Sequence, residues 1–110
     1  MNRGDVWLID LGGRIGTRPV VVLTRQNVLR FLNKVTVAEI TTKGKGYPTE
    51  IFINQKPNLP KTSFVQVENL HTVTKKKLEK FLGTLDPETM LEVSQKAVLA
   101  LELENAVPGR

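Results

Sequence analysis

From residue 6 to residue 73 the chain repeats one device: a short run rich in β-branched apolar side chains, closed by glycine, proline or charge. "VWLIDL" (6–11) stops at the flexible connection "GGRIG" (12–16), and "RPVVVLT" (18–24) has Pro19 among its first residues, where a missing N–H is tolerated at a strand's start. "KVTVAEIT" (34–41) has the imperfect alternation of a half-exposed strand and is followed by the basic loop "TKGKGYP" (42–48). "TEIFIN" (49–54) puts Ile51 and Ile53 on one face before "PNLP" (57–60) breaks it, and "SFVQVENLHTV" (63–73) alternates again. Two stretches read as turns of helix, "QNVLRFLN" (26–33) and the start of "KKKLEKFLGTL" (75–85), the second ending in a short strand.

The period changes only at residue 86. Asp86 can accept from the first free N–H groups of a helix, Pro87 suits its first position and Glu88 complements its positive end. Met90, Val93, Ala97, Ala100 and Leu101 then recur at helical spacing, with Leu91, Val98 and Leu103 widening the apolar face, which predicts a helix over about 87–104 ended by "VPGR" (107–110). Five or more short strands and one closing helix describe a mixed, β-rich α+β fold, a small barrel or sheet with a helix packed on it. At 110 residues one core and one domain spanning 1–110 are expected.

Composition narrows the chemistry. Cysteine is absent, which removes disulfides, thiolate metal sites and cysteine nucleophiles. The single histidine, His71, excludes a multi-histidine metal centre, so no cofactor is expected. Lys and Arg number 16 against 11 acids, a net charge of +5, which favours a polyanionic partner, nucleic acid first. No secretory h-region or membrane-length apolar run is present, so a cytoplasmic protein with no membrane partner is expected.

Read in order, "RGDVWLIDL", "RPVVVLT", "VAEIT", "VENLHTV" and "LEKFLGTLD" resemble the MazF/PemK (Kid) family of toxin–antitoxin mRNA interferases, from Arg3 to about Leu103. The resemblance implies an SH3-like β-barrel with a long C-terminal helix and a homodimer. It implies metal-independent cleavage of single-stranded RNA at short motifs, by transesterification through the 2′-hydroxyl. It also implies a cognate acidic antitoxin that blocks the RNA groove, with operator DNA bound only through the antitoxin complex.

On that resemblance Arg18 matches the family's catalytic arginine and Thr41 its catalytic threonine. Both suit the chemistry, because a planar guanidinium can hold two oxygens of a phosphorane and a hydroxyl can donate to a third. Arginine is a poor base, so Arg18 is a charge stabiliser and possible proton donor. Glu68 is the carboxylate that chemistry nominates as catalytic base, against the reading of a surface acid paired with a lysine. Asn69 stands where the family has a base-contacting glutamine, and His71 where it has an arginine; His71 could hold a phosphate or donate a proton. Arg14, Thr17, Thr42, Lys43 and Lys45 flank the expected groove as RNA contacts, with solvated loop charge the competing reading for the cations. Gln66 falls where Kid-type members carry a catalytic arginine, and the loop 12–17 is shorter than the family's usual connection.

Other features read as structural. Trp7 is expected in core or dimer packing, "KKK" (75–77) as a solvated face, and "RGD" (3–5) as a chance tripeptide opening the first strand. Two alternatives come from other classes: a protein-binding gyrase poison of the CcdB type, which lacks its Trp-Gly-Ile ending here, and a catalytically silent nucleic-acid-binding barrel.

Overall fold

The computed structural model describes residues 1–54 and 58–106. Six strands and one helix follow in chain order: β1 (Asp5–Asp10), β2 (Thr17–Val22), β3 (Lys34–Thr41), β4 (Glu50–Ile53), β5 (Ser63–Thr74), β6 (Leu78–Thr84) and α1 (Pro87–Ala100). The strands form one antiparallel sheet in the order β4-β5-β3-β2-β1-β6. The two stretches read as helical turns contain 3-10 turns, at Gln26–Val28 and Lys75–Lys77.

The continuous run Val20-Val21-Val22 is buried because both faces of β2 are covered. Val21 joins Val6, Ala38, Ile40, Ile51 and Val65 in a core roofed by Met90 and Val93 of α1. Val20 and Val22 turn the other way, into a second core with Ile9, Leu29, Val35, Val37 and Leu78. With its one helix over the first face, the sheet buries its second face by curling on itself under Leu29 of the β2–β3 connection. Val73 of β5 reaches the same cluster as Ile9 of β1, although β3 and β2 lie between those strands in the sheet order.

Two features let the sheet curl. In β5, Ala38 pairs with Leu70 and the next β3 residue, Glu39, pairs with Gln66, so Val67, Glu68 and Asn69 have no partner on β3. Such a bulge bends its strand and sharpens its twist. Beyond β4, the Asn58 amide donates to the Leu82 carbonyl of β6 at 2.6 Å, joining the two edge regions by a side chain. The result is the mixed α+β, barrel-like fold expected.

The opening turn explains the "RGD" tripeptide. Gly4 has φ +96°, a conformation that favours glycine, and its N–H and carbonyl tie to Val22 and Leu85. Asp5 is buried and accepts from the Thr84 hydroxyl and the Asn2 N–H, each at 2.8 Å.

The helix begins as expected, with the Asp86 carboxylate accepting the Thr89 N–H at 2.7 Å and Pro87 in the first turn. It ends at Ala100, four residues short of the expected 104. Glu102 takes φ +58°, its N–H donates to Leu99 O, and Leu103 N–H reaches back to Val98 O at 2.8 Å. That paired 5→2 and 6→1 bonding is a Schellman stop, so the apolar spacing of Leu101 and Leu103 outlives the helix itself. The buried side is also narrower than expected: Met90 and Val93 are buried, while Leu91, Leu101 and Leu103 face solvent. Pro57 and "VPGR", read as chain breakers, lie outside the described residues. No helix among those residues is long and apolar enough to cross a membrane.

Candidate active site

Arg18 is the second residue of β2 and is solvent-exposed, ahead of a strand whose next residues sink into the core. Pro19 restricts Arg18 to extended backbone, which fixes where the side chain leaves the sheet. Thr41 ends β3, the neighbouring strand, and the β2–β3 register of Val20 with Glu39 runs toward the pair Arg18 and Thr41. Both side chains line one cleft of about 320 Å³, together with Thr42 and Lys80. Its floor is apolar, formed by Leu8, Ile40, Leu59 and Leu82.

Asn58 and Ser63 in the cleft wall are tied to the Leu82 and Lys61 carbonyls, whereas Arg18 and Thr41 keep donors to spare. Thr41 Oγ1 accepts the Lys43 N–H at 3.2 Å, which leaves the hydroxyl proton to donate elsewhere. Among the described residues the ion pair is His71 with Glu39, so Arg18 has no acidic partner. Lys80 is a cation that sequence reasoning missed. Its place follows from the pairing of Leu8 with Lys80 across β1 and β6, a long-range register with no local signature.

Of the other expected site residues Thr42 lines the cleft, and the rest are placed around it. Glu68 is exposed on the β5 bulge, as its alternation with buried Val67 suggested, and its Oε2 accepts the Thr49 hydroxyl at 2.9 Å. It does not line the Arg18–Thr41 cleft. Asn69 donates to Gln66 Oε1 at 2.9 Å, and Gln66, itself buried, donates to Glu50 Oε2 at 2.7 Å. Glu50 in turn accepts the N–H groups of Lys45 and Gly46 at 2.9–3.0 Å. Burial pushes the Glu50 carboxyl up, but the bonds from Gln66, Lys45, Gly46 and Tyr47 outweigh it and hold the carboxyl below the usual glutamate value. Gln66 thus anchors the basic loop where a catalytic arginine was considered.

His71 Nε2 lies 2.6 Å from Glu39 Oε2, the pair half-buried, and His71 lines a different groove from the Arg18 cleft. Arg14 and Thr17 are exposed at the short turn between β1 and β2, closed by Leu11 N–H to Gly16 O at 2.9 Å. Lys43 and Lys45 are exposed on the loop that leaves Thr41. Trp7 packs on Phe81 with ring centroids 5.4 Å apart, and its buried Nε1 has no partner among the described residues.

An exposed arginine and a threonine sharing a cleft at the end of a two-cored, curled sheet is a sharp constellation for comparison. Residues 2–101 match the family model described as PemK-like, MazF-like toxin of type II toxin-antitoxin system. The chain belongs to this toxin family. The toxin is 34% identical over 114 residues to the endoribonuclease MazF of Staphylococcus epidermidis, covering 96% of this chain and 94% of the relative. Among solved structures it is similar to a mycobacterial endoribonuclease in complex with its cognate antitoxin, with TM-score 0.84 and 28% identity over 94% of this chain and 96% of that one. The Mycobacterium tuberculosis toxin MazF-mt6 gives TM-score 0.81 and 28% identity over 89% and 96%. The family resemblance and the curled fold with its C-terminal helix are therefore both borne out, and the CcdB-type reading has no support in these matches.

Proposed function

We propose that this endoribonuclease toxin cuts single-stranded RNA at short sequence motifs, without a metal, using Arg18 and Thr41. The 2′-oxygen attacks the adjacent phosphorus, the bond from phosphorus to the 5′-oxygen breaks, and a 2′,3′-cyclic phosphate is left. Charge builds on the non-bridging oxygens during this step. The Arg18 guanidinium, unpaired among the described residues, can span two of them, and the Thr41 hydroxyl, its oxygen already accepting from Lys43, has a proton to offer another. Lys80 adds a second cation in the same cleft.

The 2′-hydroxyl proton must pass to a base and the leaving oxygen must receive one. Glu68 lies outside the cleft of its own chain, so its role as base requires RNA to reach the β5 bulge or a second copy of the toxin to present it. A homodimer is therefore part of the proposed working form. Thr42 in the cleft and Thr17, Arg14, Lys43, Lys45, Asn69 and His71 around it are proposed RNA contacts. The +5 charge suits a cognate acidic antitoxin as well as RNA, with operator DNA engaged only through that complex and the whole acting in the cytoplasm. The observation that carries this reading is the shared cleft of Arg18 and Thr41, both with donors to spare. Incubating the toxin with mixed-sequence RNA in EDTA and mapping the ends tests it. Products with 2′,3′-cyclic phosphate are expected, whereas 3′-hydroxyl ends would overturn the mechanism.

A further inference from the structure

Phe31 stands 69% exposed on the connection between β2 and β3, with the Arg30 guanidinium 4.7 Å from its ring centroid. Beside it the two 3-10 turns are clipped together: Lys75 N–H donates to Asn33 O at 2.9 Å, and Lys75 Nζ donates to Leu29 O. This brings Lys34, Lys76 and Lys77, all exposed, to the same end of the curled sheet as the open aromatic ring. None of these cations is ion-paired among the described residues.

A groove of about 330 Å³ leads away from that end between β1 and β5, lined by Lys34 and Lys77 and, further along, by Asp10 and His71. The one carboxylate in its wall, Asp10, accepts the Gly12 N–H at 2.8 Å through Oδ1. His71 reaches Glu39, two residues before Thr41, so the groove runs beside the strand that carries Thr41. From Thr41 back to Lys34 the strand covers roughly 23 Å at about 3.3 Å per residue.

We propose that the RNA-binding surface continues past the cleavage cleft along this groove, with Lys34 and Lys77 neutralising phosphates and Phe31 stacking a base of the flanking strand. The inference rests on the ribonuclease reading and extends its substrate site. Single-stranded nucleic acid is recognised by a basic track with aromatic platforms, because every base offers a π-face whatever its sequence. The carboxylates of an acidic polypeptide would use the lysines but offer no aromatic face to the Arg30–Phe31 stack. Lys77 of the "KKK" run, expected as a solvated face, thus acquires a ligand.

Binding of fully 2′-O-methylated RNA, which has no attacking hydroxyl, tests this apart from cleavage. Phe31→Ala should weaken binding of an oligonucleotide of about 20 nucleotides roughly tenfold, and Phe31→Trp should retain it. Lys34→Ala with Lys77→Ala should lower the slope of log K against log salt by about 1.4, more than Lys96→Ala on the helix does. Cleavage of a substrate of about 6 nucleotides should be unchanged in all of these variants, whose altered residues are surface groups. Equal affinity of wild type and variants for the long oligonucleotide overturns the groove and leaves the cleavage reading intact. Loss of polyglutamate binding with RNA binding unchanged also overturns it, assigning the surface to an acidic polypeptide. A wild type that cuts no RNA counts against the cleavage reading instead, and the uncleavable oligonucleotide still decides the groove.

Discussion

Gln66 donates to Glu50 at 2.7 Å from inside the sheet, and Glu50 holds the basic loop that leaves Thr41 by its Lys45 and Gly46 N–H groups. The loop that leaves the end of β3 is thereby tied to the sheet by one carboxylate. Its folded pKa lies below the ordinary value, so it contributes stability that is full above the unfolded value of about 4.3 and is lost as pH falls through the lower folded value. Melting temperature against pH should therefore drop on the acid side of about pH 4.3, and Glu50→Gln should flatten that drop. Hydrogen exchange of the Lys45 and Gly46 amides should rise in Glu50→Ala, and unchanged exchange would show that the carboxylate does not hold the loop.

Glu39 and His71 join β3 to β5 beside the bulge, with 2.6 Å between Oε2 and Nε2. The pair is half-buried, so its coupling should exceed that of an open surface pair. A double-mutant cycle of Glu39→Ala and His71→Ala, read by urea unfolding, should give about 1 kcal/mol of interaction energy. Additive losses would mean that the contact contributes nothing to stability.

Glu102 occupies the left-handed position of the helix stop with a side chain that glycine would spare. Glu102→Gly should stabilise the fold by about 1 kcal/mol, because an L-residue in that conformation crowds its own carbonyl. Chemical denaturation measures this, and a loss of stability would mean that Glu102 makes a compensating contact.

The legible parts of the fold were those coded locally. β3 occupies the residues its alternation marked, 34–41, and Asp86-Pro87 places the helix start through a cap that needs only three neighbours. The helix end was hidden, because Leu101 and Leu103 keep an apolar rhythm that the backbone abandons at Glu102. The β5 bulge was hidden for a similar reason: "VENLH" alternates like an ordinary strand, while the extra residues are forced out by pairing with β3. That pairing decides where Glu68 and Asn69 stand, and the β1–β6 register decides that Lys80 enters the cleft. Arg18 and Thr41 were nominated by the family resemblance rather than by pattern, and the structure brings them into one cleft because their strand ends are neighbours in the sheet.

Cleavage in a single turnover separates the roles of these two residues most directly. Single-stranded RNA in EDTA should be cut by the wild type, and Arg18→Ala and Thr41→Ala, each with a normal melting transition, should be slower by about 100-fold or more. The double variant should be little slower than the worse single one, since the two donors act on one phosphorane. Wild-type rates in both single variants would contradict the assignment of the cleft as the active site.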